Sequence, residues 1–75
     1  MTGTPIGNHL RRLRFEHGEL SQEALARAVG VTRQTIIAIE GGRYAPSLEL
    51  AMRLARVFER GVDEVFFWLE HPPPK

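Results

Sequence analysis

Cysteine is absent from the 75 residues, which excludes disulfides, thiolate metal ligands and cysteine nucleophiles together. Lysine is almost absent: nine of the ten cations are arginine and only Lys75 is lysine. That bias favours planar, bidentate contacts to phosphate or carboxylate over diffuse attraction. Charge of one sign is scarce as well, with ten basic against nine acidic residues and a formal +1. Net charge by itself therefore argues little for a nucleic-acid partner. No stretch approaches the roughly 20 apolar residues that span a bilayer, so no membrane partner is expected. The start, Met1 to Phe15, lacks a basic segment followed by an apolar run, so no secretory leader is expected. Serine occurs only at Ser21 and Ser47, neither beside a base, which leaves nucleophilic catalysis without a candidate. His9, His17 and His71 are too scattered for a metal site. The expectation is one cytoplasmic, non-enzymatic domain that uses no metal and no cofactor.

What is present is helix punctuation. Ile6, Leu10 and Leu13 recur at helical spacing, with Gly18 as a stop. Ser21 opens a second helix, whose apolar stripe is Leu25, Ala28 and Val29 and which Gly30 ends. Thr32 caps a third helix from Arg33 to about Glu40, broken by Gly41-Gly42. Ser47 caps a fourth, with Glu49 near its positive end and Ala51, Leu54, Ala55 and Phe58 on one face. In a fifth, Asp63 is the expected cap and Val62, Val65, Phe66 and Leu69 the apolar face. The predicted fold is all-α with five helices. The domain spans 6–69, with loose tails at 1–5 and 70–75, where the prolines 72–74 cannot continue a helix.

The segment Leu25 to Arg33 carries most of the functional information. Two helices separated by one glycine and a capping threonine cross steeply, as in a helix-turn-helix over about 22–41. Ala26 suits the closest approach of the two helices, Val31 begins a buried wedge, and Ile36 and Ile39 anchor the third helix. On that helix Thr35, Ile36, Ile39 and Glu40 are assigned inward and Arg33, Gln34, Ile37 and Ala38 outward. The outward set is poor in charge for a solvated face, yet its residue types suit base edges. Arginine can donate twice to guanine, glutamine can pair with adenine, and aliphatic groups can meet a thymine methyl.

From about Leu10 to Phe66 the chain resembles the Cro and phage-repressor class of helix-turn-helix regulators, the xenobiotic-response-element (XRE) family. The resemblance rests on Leu20-Ser21-Gln22-Glu23-Ala24-Leu25-Ala26, Gly30-Val31-Thr32-Arg33-Gln34-Thr35-Ile36 and Ile39-Glu40-Gly41-Gly42-Arg43, followed by Pro46-Ser47-Leu48 and Leu54-Ala55. It implies a lambda-repressor-like domain that binds double-stranded DNA. It further implies base reading by Arg33, Gln34, Ile37 and Ala38, and backbone contacts by Gln22, Thr32 and Arg43. Arg14 and Glu40 match a structural ion pair between the first and third helices, which would account for an inward glutamate. One departure is Glu19, an extra residue before Leu20, which is expected either to lengthen the first turn or to shift the first helix by one residue.

The run Val65-Phe66-Phe67-Trp68-Leu69 is too apolar for one helix face. Val65, Phe67, Trp68 and Leu69 are therefore assigned to a homodimer interface, packed as helices or as an intermolecular ribbon. The expected function is a homodimeric transcriptional repressor on a palindromic operator. The rival is an antitoxin-like or other protein-interaction module with an unidentified protein partner. Residues 1–43 hold six arginines against four glutamates, +2, while 44–75 hold four cations against five acids, −1. The small surplus lies with the reading helix.

Overall fold

The computed structural model describes residues 3–69. Five helices follow one another: α1 (Leu10–Glu16), α2 (Gln22–Val29), α3 (Arg33–Glu40), α4 (Leu48–Val57) and α5 (Val62–Val65). Two short strands, β1 (Ile6–Asn8) and β2 (Phe66–Trp68), bracket them and pair antiparallel, Ile6 with Trp68, Gly7 with Phe67 and Asn8 with Phe66. The helical expectation holds, with this ribbon as an addition. Ile6 belongs to β1 and not to the first helix, and the fifth helix stops at Val65.

The caps explain the boundaries. The hydroxyls of Ser21, Thr32 and Ser47 accept the N–H groups of Ala24, Thr35 and Leu50, each meeting a donor the first turn leaves unpaired. Gly30 ends α2 in the left-handed region at φ 79°, which a Cβ would disfavour. The extra Glu19 is absorbed in the turn: Gly18 (φ 72°) and Glu19 (φ 57°) are both left-handed, so the chain reverses without lengthening α1. At α5 the cap is not Asp63. Gly61 holds that position, and the Glu64 carboxylate accepts its N–H at 2.7 Å.

The core joins Leu10 and Leu13 of α1, Leu25, Ala26 and Val29 of α2, Ile36 and Ile39 of α3, and the α4 stripe Leu50, Ala51, Leu54 and Ala55, closed by Phe58, Val65 and Phe66. Two expected positions change: Ala28 is exposed, with Ala26 taking the core position on α2, and Leu69 lies outside the core, 59% exposed. The ribbon closes the N-terminal end. Leu69 N–H donates to the Pro5 carbonyl at 2.8 Å and Thr4 N–H to the Gly42 carbonyl at 3.0 Å. Residues 4 and 5 are thus tied to the body and are not a loose tail; the tail at 70–75 lies outside the described residues. Gly7 sits under the Phe67 ring, where a Cβ would come within 2.6 Å of it. Glycine there permits the aromatic to lie across the strand.

Candidate nucleic-acid interface

The α2–α3 junction fixes the direction of α3 from three sides. Ile36 and Ile39, 0% and 1% exposed, hold its inner stripe in the core. Full burial of two such side chains contributes roughly 3–6 kcal/mol relative to exposure. Val31, partly buried against the core, fills the turn. The third constraint is polar: Arg14 of α1 grips Glu40 at the end of α3 with two parallel bonds, Nε to Oε2 at 2.6 Å and Nη2 to Oε1 at 3.0 Å.

The pair makes two further hydrogen bonds. Arg14 Nη1 donates to the Leu20 carbonyl at 2.9 Å, and Gln22 Nε2 donates to Glu40 Oε1 at 3.2 Å. The two side chains are 17% and 10% exposed. At that depth a lone carboxylate would be costly, whereas a bidentate arginine with added hydrogen bonds offsets the lost hydration. One network therefore ties α1, the α1–α2 turn, the start of α2 and the end of α3. No buried side-chain polar atom among the described residues lacks a partner.

The residues assigned outward on α3 differ in exposure, and one of them changes side. Gln34 is exposed, and Ile37 and Ala38 are half-buried. Arg33 is exposed too, but seven residues separate it from Glu40, which returns it to within about 20° of the same direction. It therefore shares the Glu40 flank and borders a cleft with Arg11 and Gln22, with the Arg14–Glu40 pair beneath. Thr32 stands at the helix start, its hydroxyl 3.1 Å from that of Thr35. Arg43 is exposed in the loop after Gly42, with its N–H on the Ala38 carbonyl at 3.0 Å.

Arg11 of α1 lies in the same cleft, beside Gln22 and Arg33. A sequence signal for this existed. Arg12, Arg27 and Arg53 each have an acid four residues away and pair with it, at 3.8, 3.2 and 2.5 Å. At that spacing Arg11 has Phe15 and Arg33 has Ile37, so neither has an ion-pair partner on its own helix.

The expected interface residues divide. Val65 is fully buried inside the chain and offers no surface to a second copy. Phe67, Trp68 and Leu69 are exposed along β2 and just beyond it. The His9 ring lies 4.6 Å from that of Phe67, centroid to centroid. The strand partner of β2 is β1 of the same chain, so a ribbon between two copies would use the outer edges of this one.

Comparison with known proteins agrees with this geometry. A family model described as helix-turn-helix matches residues 10–65. Bacillus subtilis YgzD, named an uncharacterized HTH-type transcriptional regulator, is 49% identical over 63 residues, covering 84% of this chain and 92% of that protein. An uncharacterized HTH-type transcriptional regulator of Methanothermobacter thermautotrophicus is 54% identical over 66 residues, covering 88% of this chain and 94% of its own. Among solved structures, a hypothetical transcription factor from Neisseria, NHTF, superposes with a TM-score of 0.66 at 29% identity. That match covers 73% of this chain and 62% of the other.

Proposed function

The chain belongs to the helix-turn-helix family of DNA-binding transcriptional regulators, of the XRE type, and we propose that it represses transcription as a homodimer on a palindromic operator. The observation that carries this reading is the braced α3, whose free face presents Gln34, Ile37 and Ala38, with Arg33 on its flank. In the proposed complex each α3 enters a major groove, with half-sites one helical turn, roughly 34 Å, apart. Gln34 and Arg33 discriminate bases while Ile37 and Ala38 pack on thymine methyls. Gln22, Thr32 and Arg43 contact the sugar-phosphate backbone and set register, joined by Arg11 across the cleft. Phe67, Trp68 and Leu69 supply the contact between copies. Selection from random duplexes tests the proposal: a two-fold consensus with fixed half-site spacing is expected, and Arg33→Ala should cost about 1–3 kcal/mol on that site and relax its preference. An unstructured consensus, or unchanged specificity in the variant, rejects it.

One feature favours the rival interaction module. Leu48 and Met52 on the outer face of α4 are 73% and 56% exposed, one turn apart. Affinity for random duplex measured against salt separates the readings. A steep loss with salt reports counterion release from phosphates, whereas a flat response favours a protein partner.

A further inference from the structure

The ribbon and the reading helix are remote in sequence but joined in space. Asn8 of β1 donates its Nδ2 to the Ile39 carbonyl in the last turn of α3 at 2.9 Å. Its Oδ1 accepts the N–H of Leu10, the first residue of α1, at 3.1 Å, so the same side chain also touches the start of α1. The Ile39 carbonyl already accepts the Gly42 N–H at 3.0 Å, so it would not be left unpaired without Asn8. The bond therefore does more than satisfy an orphan acceptor: it fixes where β1 sits against α3. Just past the helix, the Thr4 N–H on the Gly42 carbonyl makes a second tether from the same segment.

Asn8 is also a ladder residue, opposite Phe66, while Gly7 and His9 on the other face carry Phe67. The exposed aromatics of the ribbon are thus one strand pair away from the end of the helix that faces DNA. We propose that Asn8 is a positioning residue that transmits the geometry of the ribbon to α3 and so sets the half-site spacing the dimer accepts. This rests on the reading that two copies meet at the ribbon. If they do, the distance and tilt between the two α3 helices are fixed only as firmly as each helix is fixed to its own ribbon. A stiff joint makes binding of the second half-site effectively intramolecular at one spacing; a slack joint spreads the same gain over several.

Asn8→Asp separates the two bonds. The carboxylate keeps an oxygen for the Leu10 N–H but replaces the donor with a second acceptor facing the Ile39 carbonyl. Asn8→Ser keeps an acceptor near Leu10 with too short a reach for Ile39, and serves if the aspartate variant does not fold. Both are compared with the parent chain for sedimentation, for affinity to a single half-site, and for affinity to paired half-sites whose spacing is varied one base pair at a time. The expected result is a dimer with unchanged single-site affinity, but a loss of about ten-fold at the preferred spacing and a flattened spacing profile. A dimeric variant whose spacing profile stays as sharp as the parent's overturns the role of Asn8 alone. A parent chain that is monomeric, or that shows no spacing preference, removes the dimer reading and this role with it.

Discussion

In the α2–α3 turn the helix boundaries are decided within a few residues of the groups concerned. Thr32 caps Thr35, Gly30 turns left-handed to end α2, and Ile36 and Ile39 return to the core one turn apart. In the β1–β2 ribbon the pairing joins opposite ends of the chain: Ile6 finds Trp68, and Gly7 makes room for the Phe67 ring. The first region is stabilised by its own propensities and by burial. The second is two three-residue strands, too short to persist without the core beneath Phe66. The junction is thus the part of the molecule that should fail globally when damaged, and the ribbon the part that should fail alone.

Four single substitutions, one of them with a double-variant control, sharpen that contrast, from the largest effect to the smallest. Ile36→Ala empties a fully buried site in the junction and should cost about 4 kcal/mol, read as a lower urea midpoint with loss of helical signal throughout. Glu40→Ala leaves Arg14 without its carboxylate at a mostly buried position and should cost about 3 kcal/mol. In the Arg14→Met, Glu40→Leu double variant much of that loss should return, because no charge is stranded; a double variant worse than either single one would contradict the network. Gly7→Val drives a side chain into the Phe67 ring and should cost about 2 kcal/mol. Its signature should be local: Trp68 fluorescence changes and self-association weakens, while the circular dichroism of the helices persists. Equal loss of helix would mean that the ribbon is not separable. Thr32→Ala, removing one cap, should lower stability by about 1 kcal/mol without moving either region.

The same contrast explains what could be read in advance. The order of the five helices, the caps at Ser21, Thr32 and Ser47, and the α4 stripe were legible because each depends on neighbours within one turn. The inward side of Glu40 was legible from helical spacing, whereas its bond to Gln22 joins two helices and follows from neither helix alone. The ribbon was illegible for the same reason. Phe66, Phe67 and Trp68 continue an apolar run that suits a short helix as well as a strand, and only β1 decides between them. Arg33 sits on the Glu40 flank and not beside Gln34, because the seven-residue step to Glu40 aligns the two. The aromatic neighbours of Val65 suit an interface, whereas the turn of α5 directs Val65 itself into the core.

The near-neutral charge also takes on a different meaning once the pairs are drawn. Arg12, Arg14, Arg27 and Arg53 are each held by a glutamate, while Arg11 and Arg33 stand together at the cleft without one among the described ion pairs. A formal +1 thus conceals a local surplus where a backbone phosphate would approach. Arg11→Ala should weaken binding to all duplexes alike and reduce the salt slope by about one, while Arg12→Ala should leave both unchanged.

The central claim is that the free face of α3 and its flank meet DNA. Titration of the isotope-labelled chain with its selected duplex, read as amide shift changes along the backbone, tests it most directly. The largest changes are expected at Gln22, from Thr32 to Ala38 and at Arg43, with Leu48 and Met52 of α4 unmoved. Largest changes on the outer face of α4, with α3 silent, would contradict it.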